Sequence, residues 1–489
     1  MNALRIILGL ALLAVGLAAL IDFETASRPF IALSPDRDVT PFLWQLLRIL
    51  WLSLGMVGGC LLARPWILRA LARLDGWIVA PRRAVYLWRV VLIAAVLRAA
   101  VLWLMPFHLW MDYQSYDELG RQWAAQGGYY NGDHLTAYWP PAYPWLLSRL
   151  YLLFGPHAEI AVWINLLFGL AIVLLSYLIA RDIWEERVAR WTALLVACFP
   201  SQVFFTNLLA SEMLFTPLFL TALWLSLRSA LSDRLHWWLP TLAGVCLGLA
   251  TLTRAISKMY IVVIVIYWLL QIRPVRRLLA TTGLGLLGLA VTLTPWMIRN
   301  YCAVGAFAVN TNTGINLFIG NQPSSGMGYN QHAANEYDVN DPTREAEIDR
   351  ETTRRALEYI REEPLSFIKR GLIKTAFFFA VDVDALDYGL LRSPGAQDPG
   401  PYFYLALVTE TCYLLVLLAG LVGLTGVYFG RGGGRRPAID LAALTILYWT
   451  GIHFVFYGIG RYHFPIVPII AAFAAVYLTS RRNDRRGDY

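Results

Sequence analysis

Twelve runs of apolar residues limit what this chain can fold into more than any other feature. A helix needs about 20 apolar residues to cross the hydrocarbon core of a bilayer, within a working range of about 17 to 25. That length marks spans at approximately 4–21, 42–63, 85–106, 158–180, 188–204, 208–228, 237–253, 256–271, 278–297, 403–429, 438–457 and 463–479. Inside lipid the backbone must satisfy its own polar groups, so such runs are expected as helices. Composition agrees, since 58% of the 489 residues are hydrophobic, only 15% are charged and the mean hydropathy is positive. The expected fold class is all-α: a polytopic membrane protein with about 12 transmembrane helices, extracytoplasmic loops and interfacial helices.

Charge placement gives the spans a direction. With the N-terminus cytoplasmic, the inner segments 64–84, 181–190, 228–236, 272–277, 430–437 and 480–489 hold 20 Lys and Arg residues. The outer segments 22–41, 107–157, 205–207, 254–255 and 458–462 hold 6. Short loops follow a positive-inside bias, so 107–157 is expected outside. The segment 298–402 is left out of that comparison because long loops cross largely regardless of charge; the same topology puts it outside and both termini inside. The formal charge of +8 suggests no nucleic-acid partner, because the basic residues sit in loops where membrane orientation explains them. The first span reads as a retained helix, the alternative being a signal peptide with Arg5 ahead of its apolar run. Cys60, Cys198, Cys246, Cys302 and Cys412 have no close pairs and suggest neither a disulfide framework nor a thiolate metal site.

One loop carries far more chemistry than a connector requires. Between Phe107 and Pro144 lie Asp112, Tyr116, Asp117, Glu118, Tyr138 and the pair Pro140–Pro141. Residues 140–155 follow that double proline and are short for a span, so an interfacial helix is expected beneath the loop. The segment 298–402 opens with turn-forming Asn, Gly and Ser, continues as a charged helical run over 342–363 and is stopped by Pro364. In 365–381, Lys369, Arg370 and Lys374 stand among apolar residues, a pattern suited to the headgroup region. RGGGRR at 431–436 reads as a flexible basic turn on the inner side.

Charges at the outer ends of the spans converge. Asp112 follows the third span and Glu212 opens the sixth; Arg254 and Lys258 bracket the turn between the seventh and eighth; Arg299 ends the ninth and Arg461 sits in the last outer turn. Singly, each cation can snorkel to lipid phosphates and each acid can make a structural pair. Together, six ionisable groups on the side of a tyrosine-rich loop point to a site. If 254–258 is helical, Arg254 and Lys258 share a face. Arg254 and Arg299, both at ends of rigid spans, are expected to be the nearer pair, because a guanidinium can grip two phosphate oxygens. Cations beside apolar spans suit a lipid-linked phosphate, and a nearby carboxylate suits proton abstraction from a hydroxyl. Tyr116, Tyr129, Tyr130, Tyr138, Trp139 and Tyr143 can stack on a sugar ring or serve as interfacial belt residues.

These residues sit in MDYQSYDELGRQWAAQGGYY, WPPAYPWLL, FPSQVFFTNLLASEMLF, GLATLTRA, TPWMIRNY, GAFAVNTNTGINLFIGN and GRYHFPIVP. In that order and spacing the motifs resemble the GT-C membrane glycosyltransferases, nearest to the bacterial protein-mannosyltransferase-like and aminoarabinose-transferase-like branch. The resemblance runs from the third span to the C-terminus and leaves 1–84 as a two-span N-terminal extension. It implies a catalytic transmembrane module over 85–299 with its first extracytoplasmic loop at 107–157, an extracytoplasmic segment with an interfacial helix over 300–402, and a three-span region over 403–489.

The resemblance implies a polyprenyl-phosphate sugar as donor and Asp112 as catalytic base, with Asp117 the runner-up. It further implies that Glu212 organises the site while Arg254, Arg299 and Arg461 face the donor phosphate or the acceptor head group. Lys258 joins them by position, and Asn300, Tyr462 and His463 lie in the same motifs. The acceptor would be a hydroxyl of a lipid, glycan or protein, and the location a bacterial inner (plasma) membrane with the site extracytoplasmic. No cofactor is required: Asp382, Asp384 and Asp387 in VDVDALD are read as a solvated acidic turn in preference to a divalent metal site, and His463 as a donor to phosphate. A lipid-substrate flippase would also use many spans and buried charges, but should place them near the midplane, often in paired halves. An O-antigen ligase or polymerase would lack the early Asp loop followed by Pro-Pro.

Overall fold

The computed structural model describes residues 2–22, 27, 40–323, 325, 329–337, 341, 343–391, 399–429 and 438–480. Each of the twelve apolar runs is helical. Among the described residues, eight helices are long and apolar enough to cross a membrane, from Leu4–Ile21 to Gly460–Ser480. The run at 188–204 is a broken span, Glu186–Ala197 followed by Pro200–Asn207 with a bend of 57°. Pro200 explains the break, because proline cannot continue a helix whose backbone N–H is needed. The remaining three, Trp238–Thr253, Ala255–Gln271 and Ile439–Val455, are shorter apolar helices. RGGGRR at 431–436 and the tail from 481 lie outside the described residues.

Burial separates the centre of the bundle from its edge. In Ser211–Leu231 and Gly460–Ser480, 61% and 78% of the residues in the apolar window are buried, against 17% in Leu4–Ile21. The two central helices carry Glu212 and Arg461 at their N-terminal ends. The two N-terminal helices pack on each other through small residues: a Cβ on Gly58 would stand 2.6 Å from the Leu13 backbone nitrogen. Small residues let helices approach where lipid supplies no hydrophobic drive. Val57 of this pair buries against Phe199, Tyr413 and Val467, which ties the extension to the bundle.

Outside the spans, the expected interfacial helix is Ala142–Phe154, packed on Asp112–Gln126. A short hairpin joins them, pairing Tyr130 with Leu135 and Asn131 with His134. Its two-residue turn uses Gly132 at φ 63°, a conformation that glycine adopts without steric cost. The charged run forms Glu345–Glu362 and packs on Thr313–Asn321 around Ile315, Phe318 and Ala356. Pro364 opens the next helix, Pro364–Phe378, where Lys374 departs from the headgroup reading. Its side chain is fully buried and donates to the carbonyls of Gly320 and Val455, each at 3.1 Å. Those carbonyls lie at the C-terminal ends of two helices, where a cation meets the negative end of the dipole.

Candidate active site

Four charged side chains from four separate elements form one connected cluster. Arg461 Nη2 donates to Asp112 Oδ2 at 2.5 Å, and Arg461 Nε lies 3.9 Å from Glu212 Oε1. Arg254 Nη1 lies 2.8 Å from the same Glu212 oxygen and donates to Ser211 Oγ at 3.0 Å. Ser211 also meets the Tyr116 hydroxyl at 3.2 Å. Asp112 and Glu212 each occupy the first turn of a helix, where the dipole favours an anion. Arg254 leaves the C-terminal end of Trp238–Thr253 in extended conformation, and Arg461 lies in a 3-10 turn entering the last helix. Two acids and two arginines compensate each other, which makes the burial of Glu212, 1% exposed, tolerable.

A small cavity opens against this cluster. Glu212, Arg254, Arg461 and His453 supply its polar wall, while Phe215, Ile256, Trp449, Tyr462 and Pro465 supply the rest. Asp112 is not in the wall; it lies behind Arg461 with its side chain 27% exposed. Met111, immediately before it, has φ 49° and ψ −122°, the one non-glycine residue with positive φ among the described residues. Backbone held in so sparsely populated a region costs about 1–3 kcal/mol and concentrates at functional sites.

The turn that presents Arg461 is fixed from below by VDVDALD, which is buried and not a solvated acidic turn. Asp384 Oδ2 accepts the Arg461 backbone N–H at 2.5 Å, and Asp382 Oδ1 stands 3.0 Å from His463 Nε2. Glu410 accepts the Asp382 backbone N–H at 2.8 Å. His463 is fully buried, with Nδ1 at 2.8 Å from the Phe378 carbonyl, so its ring anchors the turn instead of reaching a phosphate. Among the described residues, no group of three or more His, Cys, Asp or Glu is arranged to hold a metal ion.

Other candidates lie apart from the cavity. Asp117 accepts from Arg121 Nε at 2.7 Å and from the Tyr151 hydroxyl at 2.5 Å, pinning its helix to Ala142–Phe154. Arg299 donates to the carbonyls of Thr136 and Tyr129 at 2.5 and 2.8 Å, and to Asn300 Oδ1 at 3.0 Å. It therefore clips both ends of the short hairpin and does not pair with Arg254. Asn300 in turn donates to the Ala308 carbonyl at 2.8 Å. Glu345 completes this anchor by accepting from Thr136 Oγ1, Ala137 N and Thr311 Oγ1. Burial pushes the Glu345 carboxyl up while those hydrogen bonds pull it back. Lys258 reaches Thr313 Oγ1 at 3.3 Å, and residues 255–257 form a 3-10 turn, so Arg254 and Lys258 do not share a helical face.

Two of the tyrosines are packing residues. Tyr116 lies edge-on to both Trp139 and Tyr143, with centroids 5.4 and 5.3 Å away, and burial pushes its phenol well up. Tyr143 is 1% exposed. Their rings are enclosed by neighbours and not free to stack on a sugar. Tyr138 and Tyr462 are half-buried. Tyr462 lies beneath Arg254 and Arg461, which approach its ring to 5.3 and 5.4 Å.

Residues 139–298 match the family model described as dolichyl-phosphate-mannose-protein mannosyltransferase. That segment holds Glu212, Arg254 and Lys258; Asp112 and Arg461 fall outside it. No curated protein matches the chain. Among solved structures, the apo oligosaccharyltransferase of Archaeoglobus fulgidus is similar with 15% identity and a TM-score of 0.49, over 81% of this chain and 51% of that one. The Archaeoglobus fulgidus oligosaccharyltransferase AglB, in complex with an inhibitory peptide and a dolichol-phosphate, is 13% identical with a TM-score of 0.47, over 82% and 50%. ArnT from Cupriavidus metallidurans, bound to undecaprenyl phosphate, is 15% identical with a TM-score of 0.42, over 82% and 79%. The chain thus spans about half the length of the oligosaccharyltransferases it matches. Over residues 139–298 the chain is thus similar in sequence to the protein-mannosyltransferase family.

Proposed function

We propose that this protein transfers a sugar from a polyprenyl-phosphate-linked donor to a hydroxyl of a lipid, glycan or protein acceptor on the extracytoplasmic face, with inversion. The observation that carries the reading is the cavity between Arg254 and Arg461, with Asp112 behind Arg461. Its cationic edge suits a phosphate, and its aromatic and apolar wall suits the start of a lipid chain.

The chemistry follows from the charges. Phosphate entering the cavity meets Arg461 Nε, which has no hydrogen-bond partner among the described residues, and competes with Asp112 for the rest of the guanidinium. Asp112, released from that contact, accepts the proton of the acceptor hydroxyl as the oxygen bonds to the anomeric carbon. The bond from that carbon to the phosphate oxygen breaks from the opposite face, and the electron pair leaves on the phosphate. Phosphate departs as a stable anion, so the leaving group needs charge stabilisation and no general acid, unlike the alkoxide of a glycosidase. Negative charge grows on the phosphate as the bond breaks, and arginines that meet it there bind the transition state more tightly than the ground state. Incubating the purified protein with radiolabelled polyprenyl-phosphate sugars and membrane extracts should move label into a lipid, glycan or protein fraction. Binding of the donors without transfer from any of them, or transfer of label with retention, would overturn the proposal.

A further inference from the structure

His453 lines the same cavity and takes no part in the charge cluster. It is 1% exposed, and three of its sides are taken. Phe378 and Tyr462 stack against it, with centroids 4.5 and 5.1 Å away and interplanar angles of 27° and 12°. Nδ1 lies 3.2 Å from the Tyr457 carbonyl. A carbonyl can only accept, so Nδ1 carries the proton; burial in a wall shared with the cations Arg254 and Arg461 disfavours a second proton, and the neutral ring keeps its lone pair on Nε2. Nε2 is buried and has no hydrogen-bond partner among the described residues. The ring therefore brings one unpaired acceptor to a wall of the cavity whose other neutral side chains, Phe215, Ile256, Trp449, Tyr462 and Pro465, are apolar or aromatic. Arginine donors answer to phosphate oxygens; an imidazole acceptor between aromatic rings answers to a hydroxyl.

We propose that His453 is a specificity-determining residue whose Nε2 accepts a hydrogen bond from one hydroxyl of the transferred sugar, an inference that rests on the donor reading above. A buried acceptor left without its partner is costly, so such a residue discriminates against donors that lack the hydroxyl. It makes the same contact before and during bond breaking, and its loss should raise KM with little change in kcat.

The test compares undecaprenyl phosphate with undecaprenyl-phosphate-linked sugars, using the full-length protein, His453→Phe and His453→Gln. Phenylalanine keeps a flat ring between Phe378 and Tyr462 without a nitrogen; glutamine restores an acceptor. Wild type should bind both carriers. His453→Phe should bind the bare carrier as wild type does and the preferred sugar-loaded carrier about tenfold more weakly. Monodeoxy sugars at that position should cost wild type a similar factor and cost the variant nothing further, while His453→Gln should recover part of the loss. Equal losses for bare and loaded carriers, or no loss for the loaded carrier, would overturn the role of His453. Failure of wild type to bind either carrier would instead overturn the donor reading.

Discussion

Arg461 and Arg299 both stand near the end of an apolar span, yet they do opposite things. Arg461 bridges two carboxylates at a cavity and keeps one N–H without a hydrogen-bond partner among the described residues. Arg299 gives its hydrogen bonds to Thr136, Tyr129 and Asn300, and lies over Trp296 at 4.8 Å. One arginine has capacity left for a ligand, and the other holds a loop. Position at the end of a span therefore makes a cation a candidate, while its acceptors decide what it does.

The largest separation between the two regions should come from Arg461→Ala. Removing it leaves Asp112 without the cation that holds it, and the expected loss in kcat/KM is about two to three orders of magnitude, as for deletion of a transition-state charge contact. Steady-state kinetics with a lipid-phosphate sugar would measure it. Arg254→Lys comes next. The ammonium keeps the charge but not the planar guanidinium whose Nη1 meets both Glu212 and Ser211 and whose other N–H groups are left for a phosphate, and the barrier should rise by roughly 1–3 kcal/mol. Retained wild-type kcat and KM would show that Arg254 only balances Glu212.

Arg299→Lys should divide the other way. It loses carbonyl contacts at both hairpin ends, so thermal unfolding should show a cost of about 1–2 kcal/mol while kcat changes little. A collapse of kcat at unchanged Tm would move Arg299 into the site and erase the contrast. The smallest effect concerns Met111→Gly, which relieves the positive φ ahead of Asp112. Stability should rise by up to about 1 kcal/mol, with a modest fall in kcat as Asp112 gains freedom. A fall in Tm would show that the conformation is not strained.

The helices were legible because lipid leaves the backbone few alternatives, and all twelve runs, the three shorter ones included, were marked by their apolar composition. The one broken run carried its signal in Pro200. The pairing within the site was less legible. Asp112 and Arg461 are 349 residues apart, and no local period reports such a contact. Arg299 misled because its partners are backbone carbonyls, which leave no mark in a side-chain pattern. VDVDALD misled for a related reason: three acids in seven residues look solvated unless the backbone N–H of Arg461 and the ring of His463 are known to be waiting for them. His453 had no motif at all, since its meaning lies in a ring nitrogen left unpaired at a cavity.

The most direct measurement is donor binding and turnover in Asp112→Asn. Asparagine keeps the shape and an oxygen for Arg461 but cannot take a proton at neutral pH. Asp112 is partly exposed and lies outside the cavity wall, so the variant should fold and bind a polyprenyl-phosphate sugar as wild type does, while transfer to the acceptor falls below detection. Substantial turnover by Asp112→Asn, with donor binding intact, would contradict Asp112 as the base and pass that role to Glu212, the other carboxylate of the cluster.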